Sequence, residues 1–192
     1  VRKWEDPMAA SKARDSWLAS AEPASSLEGL DWPSMDRLSS SESGAGGVLF
    51  ARLRSGTVVI KGCSTVAQEY YAAELGHELR MPVPRAALVS YPSQEWHALQ
   101  EAATKILKPE GEPVPDGALL LKANKMLNRP HLLVFEFVRA RMLLDGASDA
   151  AGVSATREAL WSDGGALLCS LGSLLALDVL LNNWDRVPLL WD

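Results

Sequence analysis

Gly44-Ala45-Gly46-Gly47-Val48-Leu49-Phe50-Ala51-Arg52-Leu53-Arg54-Ser55-Gly56-Thr57-Val58-Val59-Ile60-Lys61 is a glycine cluster followed by two apolar and β-branched runs around a short turn. The pattern predicts a strand over 48–53, a hairpin turn over 54–56 and a returning strand over 57–61. Alternate residues of a strand share a face, so Thr57, Val59 and Lys61 point one way and Val58 and Ile60 the other. A lysine sharing a face with a valine can set its ammonium on a nucleotide's phosphates while the valine packs the base. An isolated strand-end lysine more commonly runs its stem along the surface to water. The pattern therefore takes its weight from its surroundings.

Glycines between strands let backbone N–H groups approach phosphate oxygens without side-chain obstruction, and Gly44, Gly46 and Gly47 occupy that position. After the lysine, Ser64 or Thr65 can cap a helix over 66–80, with Gln68 placed to complete a capping box with Thr65. That helix offers Glu69 near its start as a partner for Lys61, with Glu74 in reserve, and Pro82 and Pro84 end it. A short strand follows over 85–91, then helical stretches over 95–107 and up to 127, separated by a Pro/Gly-rich loop. His131-Leu132-Leu133-Val134-Phe135-Glu136-Phe137-Val138 reads as a buried strand with one exposed glutamate. Its end can supply the Glu136 carbonyl and the Val138 N–H and carbonyl to an adenine edge.

Small residues over 145–154 predict a loop, and 155–181 one or two helices broken near 162–165. The stretch 165–181 falls short of the ~20 apolar residues of a spanning helix. It carries Asp178 besides, so it reads as a buried core helix rather than a membrane span. A carboxylate at that position needs a hydrogen-bond partner. Beyond it, Asn182-Asn183-Trp184-Asp185-Arg186 breaks the apolar run, and Asp185 is placed to orient an acceptor hydroxyl and take its proton. Residues 1–29 are Ala/Ser-rich with few apolar residues at helical spacing, and are expected to be poorly ordered.

A net charge of −5 argues against a dedicated nucleic-acid or anionic-membrane surface. The two cysteines and three scattered histidines give neither a disulfide framework nor a zinc spacing, and reduced thiols suit a cytoplasmic location. No metal-binding set is identified in the chain.

Together these segments resemble the catalytic domain of the actin-fragmin kinase family, an atypical branch of the protein-kinase-like fold. The resemblance is carried by Gly46-Gly47-Val48-Leu49-Phe50, Val58-Val59-Ile60-Lys61-Gly62, Ser64-Thr65-Val66-Ala67-Gln68-Glu69, Val83-Pro84-Arg85 and above all Leu177-Asp178-Val179-Leu180-Leu181-Asn182-Asn183-Trp184-Asp185-Arg186-Val187-Pro188. It implies a Ser/Thr protein kinase using ATP and Mg, with Lys61 on the phosphates, Glu69 paired to Lys61 and Asp185 as catalytic base. The implied partner is a protein substrate, actin or an actin-bound protein. In the family the metal-binding residues follow the Asp-Arg element, whereas this chain ends at Asp192, so an incomplete domain is expected.

The expected fold is α+β and protein-kinase-like. It comprises a lobe over 30–138 with an antiparallel sheet, one key helix and an inserted helical segment. A hinge and the first part of a helical lobe follow over 139–192, ending in the catalytic loop. Rival readings are a nucleotide-binding pseudokinase or scaffold, a lipid or small-molecule kinase, and a helical interaction domain in which Lys61 and Asp185 are incidental.

Overall fold

The computed structural model describes residues 17–40, 47–108, 117–139 and 150–181. The chain is α+β, and its described residues fall into two compact units. The first holds the residues up to Tyr71 together with Pro84–Arg139, and the second Ala72–Val83 with the residues after Arg139.

The first unit is built on a five-stranded antiparallel sheet: β1 (Arg37–Ser40), β2 (Leu49–Leu53), β3 (Gly56–Lys61), β4 (Ala86–Ser90) and β5 (His131–Glu136), in the spatial order β1-β2-β3-β5-β4. The β2–β3 hairpin pairs Leu49 with Ile60 and Ala51 with Val58, and β5 sets Val134 opposite Ile60. Because side chains alternate, Leu49, Ala51, Val58, Ile60, Leu132 and Val134 form one buried layer. Leu132, Leu133 and Val134 are all fully buried, as a strand lying between two neighbours and covered on both faces requires.

Three helices belong wholly or partly to this unit: α1 (Val66–Glu78), α2 (Gln94–Leu107) and α3 (Gly117–Leu127). Helix α2 starts where the Ser93 hydroxyl accepts the Trp96 N–H at 3.1 Å. Its buried positions Leu99, Ala102, Ala103 and Leu107 recur at helical spacing. With Leu119, Ala123, Met126 and Leu127 of α3 they join the same core as the inward side chains of the sheet. Helix α3 comes very close to the sheet. A side chain at Gly62 would drive its Cβ into the Met126 carbonyl oxygen. At Gly47, where φ is +63°, it would meet the Lys122 side chain.

Residues 17–29 correct the expectation of a poorly ordered segment. A short 3-10 turn at Leu18–Ser20 leads into an extended run, in which Thr57 N–H donates to the Glu22 carbonyl at 2.7 Å and Ala24 N–H to the Thr57 carbonyl at 3.0 Å. Trp17, Ala21, Ala24 and Leu27 are buried. Their apolar side chains follow no helical period because most of the segment is not helical. Residues 1–16 lie outside the described residues.

In the second unit, α4 (Ala150–Trp161) and α5 (Ala166–Leu180) are separated by a 3-10 turn with Asp163, Gly164 and Gly165 in left-handed conformation. The break falls where the Ser-Asp-Gly-Gly run predicts it. Helix α4 takes in 150–154, which the small residues there had marked as loop; alanine at 150 and 151 favours helix enough to extend it. Gly76 permits close packing, since a Cβ there would lie 2.9 Å from Val83 and 3.6 Å from Leu177. Asp178 is buried and partnered.

The stretch Ser162–Val179 is long and apolar enough to span a membrane by length and composition alone. Its continuous helix begins only at Ala166, and 15 residues reach about 22 Å against a hydrocarbon core of about 30 Å. Leu167, Leu168 and Val179 are exposed, so only part of α5 is the buried helix the sequence suggested.

Two outcomes follow from the packing. Gly62→Ala should cost about 1–3 kcal/mol by overpacking. A urea midpoint that falls at unchanged slope would show this, whereas an unchanged midpoint would mean that α3 can retreat from the strand. At the sheet edge, Arg52 Nε and Nη2 donate to the two Asp36 carboxylate oxygens at 2.8 and 2.5 Å. Those hydrogen bonds, with the charges of Arg52 and Arg37, hold the Asp36 carboxyl below its ordinary value against a smaller opposing effect of burial. A depressed carboxyl stabilises the fold above its unfolded value, and the contribution is lost as pH falls through the folded value. Both side chains are partly exposed, so Asp36→Asn should cost about 0.5 kcal/mol at neutral pH. The cost should vanish in acid below the carboxylate range, as urea titrations at the two pH values would measure.

Candidate functional site

Strand β3 delivers Lys61 at its last position, and residues 62–65 turn the chain into α1. Val59 and Lys61 lie on the face opposite buried Val58 and Ile60. Glu69 falls in the first turn of α1, where the exposed N–H groups and the helix dipole favour a carboxylate. The Lys61 Nζ lies 2.7 Å from Glu69 Oε2, with the side chains 28% and 26% exposed. Glu74 is exposed on the same helix, so the geometry selects Glu69 of the two sequence candidates.

The other carboxylate oxygen is held from the loop. Thr65 Oγ1 donates to Glu69 Oε1 at 3.1 Å, and the Cys63 thiol donates to the same oxygen at 3.3 Å. The sequence predicted a capping box between Thr65 and Gln68. In the structure the Thr65 hydroxyl is turned to Glu69, while the Thr65 carbonyl accepts the Glu69 N–H at 3.0 Å.

On the same sheet face as Lys61, Val59 is half-buried in a small apolar cluster with Phe50, its register partner, and Phe137, Trp17, Leu18 and Ala21. The Phe50 and Phe137 rings meet edge-on at 6.1 Å. The Arg52 guanidinium lies 5.8 Å from the centroid of the Trp17 ring. Arg139 Nη2 donates at 2.8 Å both to the Ala21 carbonyl and to Glu22 Oε1, tying this segment to the chain just past β5. Sequence reasoning missed Trp17, because a lone tryptophan ahead of an Ala/Ser-rich run carries no periodic signal.

Glu136 ends β5, and its carboxylate faces Arg85 at 3.4 Å rather than standing alone. Its N–H donates to the Arg85 carbonyl at 3.0 Å. Val138 lies beyond the strand end and is 53% exposed. Gly47 leads into β2 in a conformation that favours glycine. Gly44, Gly46 and Asp185 lie outside the described residues. Among the described residues no group of three or more His, Cys, Asp or Glu could hold a metal ion.

The structure thus brings Lys61, Glu69 and Val59 to one face of the sheet, with a cation, its counter-charge and an adjoining apolar surface. The sequence matches the family model described as actin-fragmin kinase, catalytic, over residues 14–192. It is also 23% identical over 177 residues to a Dictyostelium discoideum protein named "Putative actin-fragmin kinase", covering 88% of this chain and 39% of that relative. The chain therefore spans about two fifths of the length of the curated relative it matches.

Proposed function

The chain belongs to the actin-fragmin kinase catalytic family, and on that premise we propose that it forms the nucleotide-binding part of an ATP-dependent protein Ser/Thr kinase. The observation that carries this reading is the 2.7 Å pair between Lys61 and Glu69 at the junction of β3 and α1. Lys61 supplies positive charge to the ATP phosphates, and Glu69 keeps that ammonium from swinging to water. Phe50 and Val59 offer apolar surface to the base, and the Glu136 carbonyl and the Val138 backbone offer hydrogen bonds to its edge. Gly47, with Gly44 and Gly46 before it, lets the chain approach the phosphates closely.

Asp185 is the proposed base. It orients the substrate hydroxyl and takes its proton as that oxygen bonds the γ-phosphorus, while the bond to the β-phosphate oxygen breaks and ADP leaves. Catalysis of this kind rests on positioning and charge neutralisation, to which a bound Mg ion adds when present. The relative's name supports actin, or a protein bound to actin, as the substrate.

ATP binding measured by calorimetry on the 192-residue chain and on Lys61→Ala tests the reading. A hydrogen-bonded charge contact predicts a loss of about 10-fold or more in the variant. Equal affinity in a well-folded variant would sink the assignment of Lys61. Transfer of radiolabelled phosphate from ATP to actin, and its loss in Asp185→Asn, tests the chemistry.

A further inference from the structure

We infer that Thr65 is a positioning residue for the Lys61–Glu69 pair, and through it for the phosphates; the inference rests on the nucleotide reading above. A lysine ammonium is a compact, rotatable point charge, so one contact at 2.7 Å does not by itself fix the plane of the carboxylate. Glutamate has three side-chain torsions, and both partners of this pair are partly exposed to water that competes for them.

What fixes the carboxylate is its second oxygen. Thr65 Oγ1 and Cys63 Sγ both reach Glu69 Oε1, leaving Oε2 to face Lys61. The Thr65 hydroxyl has one proton and two acceptors in range, Glu69 Oε1 at 3.1 Å and Cys63 Sγ at 3.5 Å. The charged oxygen is the nearer and the stronger acceptor, so it takes the proton. The thiol is a weak donor and adds less. Thr65 is also tied to Glu69 through the main chain, since its carbonyl accepts the Glu69 N–H at 3.0 Å. The main-chain bond holds the two residues one helical turn apart, which keeps the hydroxyl within reach of the carboxylate.

The competing account makes Thr65 a simple helix cap, whose loss lowers stability and leaves ligand affinity alone. Thr65→Val keeps the shape and removes the donor, and Thr65→Ser keeps the donor. ATP affinity of the full chain is measured by calorimetry for both, and for Thr65→Val in a Glu69→Gln background, with urea midpoints confirming folding. Thr65→Val should weaken ATP binding about 3- to 10-fold. Thr65→Ser should restore it to within about 2-fold, and in the Glu69→Gln background Thr65→Val should cause no further loss.

ATP binding that is lost in Lys61→Ala but unchanged in Thr65→Val overturns the positioning role and leaves the nucleotide site standing. So does a Thr65→Val effect that persists undiminished in Glu69→Gln. ATP binding that is absent from the wild type, or indifferent to Lys61→Ala, overturns the nucleotide reading, and the positioning role falls with it.

Discussion

The period of two along Gly56–Lys61 divides β3 between two environments, and the rest of the sheet unit is arranged around that division. Val58 and Ile60 enter a layer with no solvent exposure, where Leu49, Ala51 and Val134 lie opposite them in register. A slip of one residue would drive Lys61 into that layer and turn two β-branched side chains to the surface. Burying an unpaired ammonium is costly, and exposing two apolar side chains forfeits their burial energy of about 1.5–3 kcal/mol each. Register is therefore strongly specified, and with it the face on which Lys61 and Val59 appear together.

Helix α3 fixes where that strand ends. Gly47 and Gly62 lie two residues beyond the Leu49–Ile60 pair, one flanking each strand of the hairpin. Helix α3 approaches both, with Lys122 at the first and the Met126 carbonyl at the second. Gly62 directly follows Lys61, so the helix backbone sits against the point where the chain leaves the sheet. The inserted segment that brings α2 and α3 is thus more than a cover for the core. It limits how residues 62–65 can turn, and those residues carry the two groups that hold Glu69.

Much of this was readable from local patterns, and the exceptions share a cause. Lys61 and the strand that bears it follow from β-branching and alternation. The break between α4 and α5 follows from Asp163-Gly164-Gly165. Glu69 could be preferred over Glu74 from its place near the helix start, but only the ion pair decides it. Residues 17–29 could not be read this way, because Trp17, Ala24 and Leu27 are buried by distant partners and by main-chain pairing to Thr57. The helix start at Ala150 was hidden by small residues that serve loops and helices alike. The aim of the Thr65 hydroxyl was hidden as well. A Ser/Thr ahead of a helix has several acceptors within one turn, and side-chain geometry alone settles which it takes.

The Lys61–Glu69 pair is a poor device for stability, which bears on why the chain builds it so carefully. A partly exposed ion pair contributes about 0–1 kcal/mol, because the Coulomb gain is offset by side-chain entropy and desolvation. Methionine and leucine at these two positions would pack against the half-buried surface with no charge to desolvate. Two further donors on Glu69 Oε1 add ordering cost for a contact that contributes so little to folding. The arrangement makes sense when the quantity being fixed is the position of the ammonium rather than the stability of the fold. A charge held in place before its ligand arrives costs no reorganisation on binding. The short loop from β3 to α1, with Cys63 and Thr65 turned onto one carboxylate oxygen, provides that fixed geometry from four residues of chain between strand and helix.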